Sequence, residues 1–181
     1  ELGVALVPED RRKQGLVLTQ TTRPNISLAS LAKISNGGIL KPRTERERAK
    51  RMIEHFGIVP GKSDGEVAFY SGGNQQKVLL SKWAVDRPKI LILDEPSRGV
   101  DIGARQRIHE FIVEMAAAGV GILLISSELE AVINLSHRAY LMSEGRIFAE
   151  TESHTLTVET ALHRIFEAQS EIDLQEQGMN Q

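Results

Sequence analysis

"KILILDEPSRGVD", residues 89–101, decides the fold. Four consecutive apolar residues, Ile90 to Leu93, end abruptly at two carboxylates, Asp94 and Glu95, and then a proline. A short apolar run closed by a turn signal suits a buried strand of an α/β sheet. The carboxyl end of such a strand is where open α/β sheets hold their ligands. A carboxylate like Asp94 can hold magnesium there during phosphoryl transfer. A second, Glu95, can orient or polarise the attacking water. The plainer reading is that strand-ending acids cap the next turn.

Downstream, Asp101 is placed to cap a helix over "IGARQRIHEFIVEMAAAG", with Ile108, Ile112, Met115 and Ala116 inward and Gly119 as its stop. "VGILLIS", 120–126, reads as a second buried strand, and Ser127 with Glu130 as a capping box for a short helix. "RAYLMSEGRIFAE", 138–150, predicts two strands joined at Glu144-Gly145. A helix over 157–169 then precedes a polar tail expected to fray.

Upstream, "LGVALVP", 2–8, reads as another buried strand, and 9–23 as a loop. Pro24-Asn25 opens a helical stretch with Ile26, Leu28 and Leu31 inward, broken by "NGG" at 36–38. Thr44 and Glu47 form a capping box for a helix with Ala49, Met52, Ile53 and Phe56 on one face, and Gly57 stops it. "RTERERAKR", 43–51, is a solvated face with Glu47 and Arg51 spaced to pair. "YSGGNQQKVLLSKWAV", 70–85, sets Ser71, Gly72 and Gly73 at a helix start, with Val78, Leu79, the Lys82 stem and Trp83 inward. Free amides, a hydroxyl and the positive helix end make that start an anion site, although an ordinary N-cap explains it too.

"GIVPGKSD", 57–64, carries Gly-Lys-Ser but not a phosphate-binding loop. That loop is G-x-x-x-x-G-K-[ST] after a strand. Here only three residues separate Gly57 from Gly61, and a helix precedes them. A surface turn is expected.

The bulk composition excludes several classes. The chain has 181 residues, enough for a domain with a real core, and a net charge of −2 from 22 basic and 24 acidic residues. That leaves no basic field for nucleic acid or an anionic membrane. With no cysteine there is no disulfide and no thiolate metal site, which suits a cytoplasmic protein. The apolar runs are far shorter than a bilayer requires, and no secretory signal is visible. The 5 histidines, His55, His109, His137, His154 and His163, show no metal-ligand spacing. Starting at Glu1, inside a strand, the chain reads as a fragment.

"SGGNQQKV" resembles the signature motif of ABC-type ATPases, and "ILILDEPSRGVD" their Walker B strand and D-loop. "VPEDRRKQGL", "DEPSRGVDIGA" and "ISSEL" narrow the likeness to the C-terminal nucleotide-binding half of carbohydrate importers (ribose, galactoside and arabinose type) whose ATPase subunit has two fused halves. The likeness covers roughly residues 3–150. It implies an α/β fold: a P-loop NTPase core of the ABC type, truncated, with a parallel sheet and an inserted α-helical subdomain. Residues 1–10 would hold a core strand and the Q-loop equivalent, and 11–86 the helical subdomain with the signature. Residues 87–150 would hold the α/β core with Walker B, D-loop and switch, and 151–181 the C-terminal helix and tail.

The resemblance also implies roles. Asp94 would bind Mg²⁺ and Glu95 would act on the hydrolytic water. Ser71, Gly72 and Gly73, with Gln75 beside them, would touch ATP held by the opposite half. Asp101 would communicate across the dimer, and Glu9 and Ser127 would occupy the Q-loop and switch positions. There the family pattern has glutamine and histidine; a carboxylate cannot donate to phosphate, and serine offers no imidazole. Implied partners are an N-terminal nucleotide-binding half or second ATPase subunit, transmembrane permease subunits met by residues 9–30, and indirectly an extracellular or periplasmic solute-binding protein. No nucleic acid is implied. The implied place is the cytoplasmic face of a bacterial-type cell membrane. Function would be ATP-driven import of a sugar-like solute; the alternative is a regulatory half that donates its signature without turnover. A soluble ABC ATPase acting on DNA or ribosomes would need a basic surface that this chain lacks. Without a phosphate-binding loop, the chain alone is expected to bind ATP more weakly than about 1 mM.

Overall fold

The computed structural model describes residues 2–179. The chain divides into two compact units, one ending at Ile125 and one beginning at Ser126. Three parallel strands form the sheet of the first unit: β1 (Val4–Val7), β4 (Ile90–Asp94) and β5 (Gly121–Ile125), in the order β1-β4-β5. Their register aligns Leu6 with Ile92, Ile92 with Leu123, and Asp94 with Ile125.

Because strand residues alternate between faces, this register sorts the sheet cleanly. Ala5, Val7, Leu91 and Leu93 lie on the buried face. Val4, Leu6, Ile90, Leu123 and Ile125 share the other and are each between 45% and 50% exposed. Full burial of these strands was expected; among the described residues only one face is covered. The covering layer includes α3 (Gly72–Ala84) and α4 (Ile102–Ala117), which pack on one another.

The helical segment lies between β1 and β4. It contains α1 (Thr22–Ser27), α2 (Pro42–Phe56) and α3, in mutual contact. Phe56 of α2 packs on Phe111 of α4 with ring centroids 5.4 Å apart. Gly57 ends α2 in the left-handed conformation (φ 57°), and the Ile58 amide donates back to the Ile53 carbonyl, as a glycine stop allows.

Several local expectations are corrected. Residues 9–23 are not all loop: Arg11–Gly15 form a π-helical turn, capped by Asp10, whose Oδ1 accepts from the Arg12 and Lys13 amides. Leu28 and Leu31 point outward, 47% and 39% exposed. They lie in a 3₁₀ segment, Leu28–Ile34, whose threefold repeat eclipses them together while Ser27 and Ser30 turn inward. α2 begins at Pro42 without a side-chain cap, so Thr44 lies inside its first turn. Proline is well suited to that first position, where no amide bond is lost. On its surface Arg43 pairs with Glu47 and Lys50 with Glu54, not Glu47 with Arg51. On α4, Phe111 is buried and Ala116 is exposed. "NGG" does more than break a helix: Gly37 and Gly38, both at positive φ, turn the short hairpin of β2 (Ser35–Asn36) and β3 (Ile39–Leu40).

The second unit holds α5 (Leu129–Leu135), the hairpin β6 (Arg138–Ser143) with β7 (Arg146–Glu152), and α6 (Val158–Met179). Ala139, Leu141, Leu156 and Ala161 form its core. The hairpin turns at Glu144-Gly145, at φ 48° and 77°. The N-cap position of α5 is Glu128, one residue beyond the expected Ser127, and the Glu128 side chain does not cap the helix. α6 runs through the expected stop at 169, because "EAQSEIDLQEQ" holds helix formers and no breaker before Gly178. The last two tail residues lie outside the described residues. Among the described residues β6 pairs with β7, antiparallel, and the boundary between the two units falls after Ile125. No helix among the described residues is long and apolar enough to cross a membrane.

Candidate functional site

The carboxyl end of β4 makes a tight, strained turn. Asp94 is the last strand residue and pairs with Ile125. Glu95 adopts φ 45°, a left-handed conformation that a residue with a Cβ seldom takes. Its amide donates to the Ile125 carbonyl (2.9 Å), and its own carbonyl accepts from the Arg98 amide (3.1 Å). Such strain costs on the order of 1–3 kcal/mol and is concentrated at functional sites. Both acids are half-buried.

Side-chain hydrogen bonds tie down the start of α3. Ser71 is exposed, and its Oγ accepts from the Asn74 amide (3.4 Å) and from Asn74 Nδ2 (2.9 Å). Asn74 Oδ1 in turn accepts from the Val59 amide (2.9 Å), tying this start to the turn after α2. Behind it, Leu79 and Leu80 are buried in the core. A side chain at Gly72 would put its Cβ 2.6 Å from an Arg11 guanidinium nitrogen and 3.2 Å from the Gly99 carbonyl. One at Gly73 would lie 2.7 Å from an Asp101 carboxylate oxygen and 2.8 Å from the Ala104 methyl. Gly73 is therefore demanded by its packing on the Ala104 methyl, and at Gly72 the Gly99 carbonyl leaves little room for a side chain.

Asp101 caps α4 through its Oδ1, which accepts from the Ala104 amide at 2.9 Å. Arg11 Nη1 donates to the Arg98 carbonyl at 3.1 Å. The Arg98 guanidinium pairs with the Glu9 carboxylate. Burial pulls the Arg11 guanidinium below the usual arginine value; Arg12 adds to this and Asp10 opposes it. Gly72 and Gly73 thus pack against Gly99 and Asp101, and Glu9 reaches Arg98, all in the segment that follows Asp94 and Glu95; Ser71 beside them is exposed.

Gln75 is buried, and its Nε2 donates to the Val67 carbonyl at 3.0 Å, so its side chain faces the core. Ser127 is exposed and belongs to the second unit. Lys62 is exposed in a turn whose carbonyls serve the fold: its own accepts from Tyr70 Oη (3.0 Å), and that of Ser63 from the Arg23 amide (2.9 Å). Arg11 and Arg98 were not singled out from the sequence; their signal was a pair of arginines inside the two quoted loops, whose meeting depends on β1 lying beside β4.

The donor set suits magnesium held jointly with a substrate. No group of three or more His, Cys, Asp or Glu capable of holding a metal occurs among the described residues. Magnesium characteristically takes one or two carboxylates plus phosphates and water, and Asp94 offers one such carboxylate at the end of β4.

The model of the ABC transporter family matches residues 3–98. The ribose import ATP-binding protein of Roseobacter denitrificans is 42% identical over 158 residues, 87% of this chain and 31% of its own length. The xylose import ATP-binding protein of Geobacillus kaustophilus is 45% identical over 159 residues, 88% of this chain and 32% of its own. The chain thus spans about a third of the length of the curated relatives it matches. Among solved structures, a dimeric ATP-binding cassette in a post-hydrolysis state bound to ADP and Pi superposes with a TM-score of 0.70 at 17% identity, covering 83% of this chain and 63% of that one. The matched stretch runs from β1 through α3 to the acidic turn after β4, more than half of the chain, and on that extent the chain belongs to the ABC transporter family.

Proposed function

We propose that the chain is part of an ATPase subunit that energises import of a sugar or sugar-like solute. The observation that carries this reading is the strained acidic turn of Asp94 and Glu95 at the carboxyl end of β4, followed by a segment, Gly99 to Asp101, that packs on Gly72 and Gly73. The printed names of its relatives, ribose and xylose import ATP-binding proteins, support the solute class. Asp94 would hold Mg²⁺, which supplies charge neutralisation at the phosphates. Glu95 would align a water and take its proton. Ser71 and the first amides of α3 would donate to phosphate oxygens of ATP bound by a partnering nucleotide-binding half. Residues 9–30 would meet permease subunits at the cytoplasmic face of a membrane. Residues 1–181 hold no G-x-x-x-x-G-K-[ST] run, so the chain alone would not turn ATP over.

The test is Mg-ATP hydrolysis by the complete two-half subunit carrying this chain, with and without Glu95→Gln. Loss of a general base typically costs about 10²–10⁴ in rate. An unchanged rate would make this half a regulatory one that donates its helix start without turnover.

A further inference from the structure

Three groups converge on one exposed arginine. The Arg98 amide donates to the Glu95 carbonyl, and the Arg98 carbonyl accepts from Arg11 Nη1, each at 3.1 Å. Its guanidinium pairs with Glu9, which stands just beyond β1. The next residue, Gly99, is at φ 66°, and its carbonyl lies 3.2 Å from where a Gly72 Cβ would be. The turn that carries Glu95 is therefore held from its own strand, from the Glu9–Arg11 segment, and from the start of α3.

A surface ion pair is a poor explanation of stability. Arg98 and Glu9 are 67% and 48% exposed, and pairs so placed contribute little. Orientation is different, because catalysis is sensitive to small misplacements of a reacting group. The backbone contact between Arg98 and Glu95 gives the pair a direct line to the reacting carboxylate. Charge also matters: a carboxylate facing phosphate would repel it, whereas Glu9 is neutralised by Arg98.

We propose that the Glu9–Arg98 ion pair, backed by Arg11, is a latch that sets the Glu95 turn against Gly72, with Arg98 a positioning residue and Glu9 acting through Arg98 and not on nucleotide. This rests on the hydrolytic reading above.

The test combines two measurements on Glu9→Gln, Arg98→Ala and the swap Glu9→Arg with Arg98→Glu. In the complete subunit, each single substitution should lower kcat about tenfold with KM for ATP nearly unchanged, and the swap should recover most of the loss. In the 181-residue chain without nucleotide, amide exchange across 95–101 should rise in the singles and return in the swap, while amides in β4 and α4 stay protected. Unchanged kcat, or a swap no better than the worse single, overturns the latch. Should the wild-type subunit not hydrolyse ATP, the functional reading fails on its own, and the exchange measurement still decides the latch: unaltered exchange in the singles overturns it.

Discussion

Lys82 Nζ donates to the carbonyl oxygen of Gly15 across 2.6 Å, and the side chain that delivers it is 8% exposed. One buried ammonium thus fastens α3 to the π-helical turn at Arg11–Gly15. The approach is close enough that a Cβ on Gly15 would lie 2.7 Å from Leu79.

Burial pulls the Lys82 ammonium below its ordinary value of 10.5. In the window between its folded value and 10.5 the folded chain binds fewer protons than the unfolded one, so stability rises with pH there. Urea titrations of wild type and Lys82→Met from pH 7 to 11 should show the wild type gaining on the variant as pH rises toward 10.5. A pH-independent difference would contradict the burial.

Gly73 and Gly103 stand at equivalent places, near the starts of α3 and α4, but only one has room. Gly73→Ala must displace the Asp101 carboxylate or the Ala104 methyl. It should destabilise by about 1–3 kcal/mol, the usual cost of overpacking. At Gly103 the nearest atom to a new Cβ is Asp101 Oδ1 at 3.4 Å. Gly103→Ala should therefore stabilise, by up to about 1 kcal/mol. Thermal unfolding of the two variants gives the signs directly.

Asn25 organises the loop before α1. Its Oδ1 accepts from the Val17 amide (2.8 Å), and its Nδ2 donates to the carbonyls of Val17 and Thr21 at 3.0 Å and of Gln20 at 3.4 Å. The residue is 1% exposed, so truncation leaves buried backbone groups unpaired. Asn25→Ala should cost about 2–3 kcal/mol in equilibrium urea unfolding. Asn25→Asp, which keeps the acceptor and loses the donors, should recover little.

Calorimetric titration of the chain with Mg-ATP should give no heat that Lys62→Ala removes. Micromolar binding lost in that variant would mean that "GKS" holds phosphate after all.

The elements written in local chemistry were legible in the sequence. Asp101 as a cap, Gly57 as a stop and the Glu144-Gly145 turn all depend on residues within a few positions of each other. Leu28 and Leu31 were misread because an α-helical period was assumed where the chain takes a threefold one. In the site, Asp94, Glu95 and the Ser71 helix start were visible as residue types at element ends. Glu9 and Arg98 were not visible as a pair: 89 positions separate them, and only the parallel pairing of β1 with β4 makes them neighbours. Gln75 illustrates the converse, a polar residue in a recognisable motif whose amide belongs to the core.

The open face of the sheet, with Val4, Leu6, Ile90, Leu123 and Ile125 in one patch, governs how the isolated chain behaves in the tube. Attraction between such patches is driven by released water and strengthens on warming, unlike pairing of surface charges, which weakens in salt. The sedimentation coefficient should therefore climb with temperature and with added sulfate, and fall back on chilling. A lysine at Leu123 should flatten that response, giving a single slowly sedimenting species at every temperature.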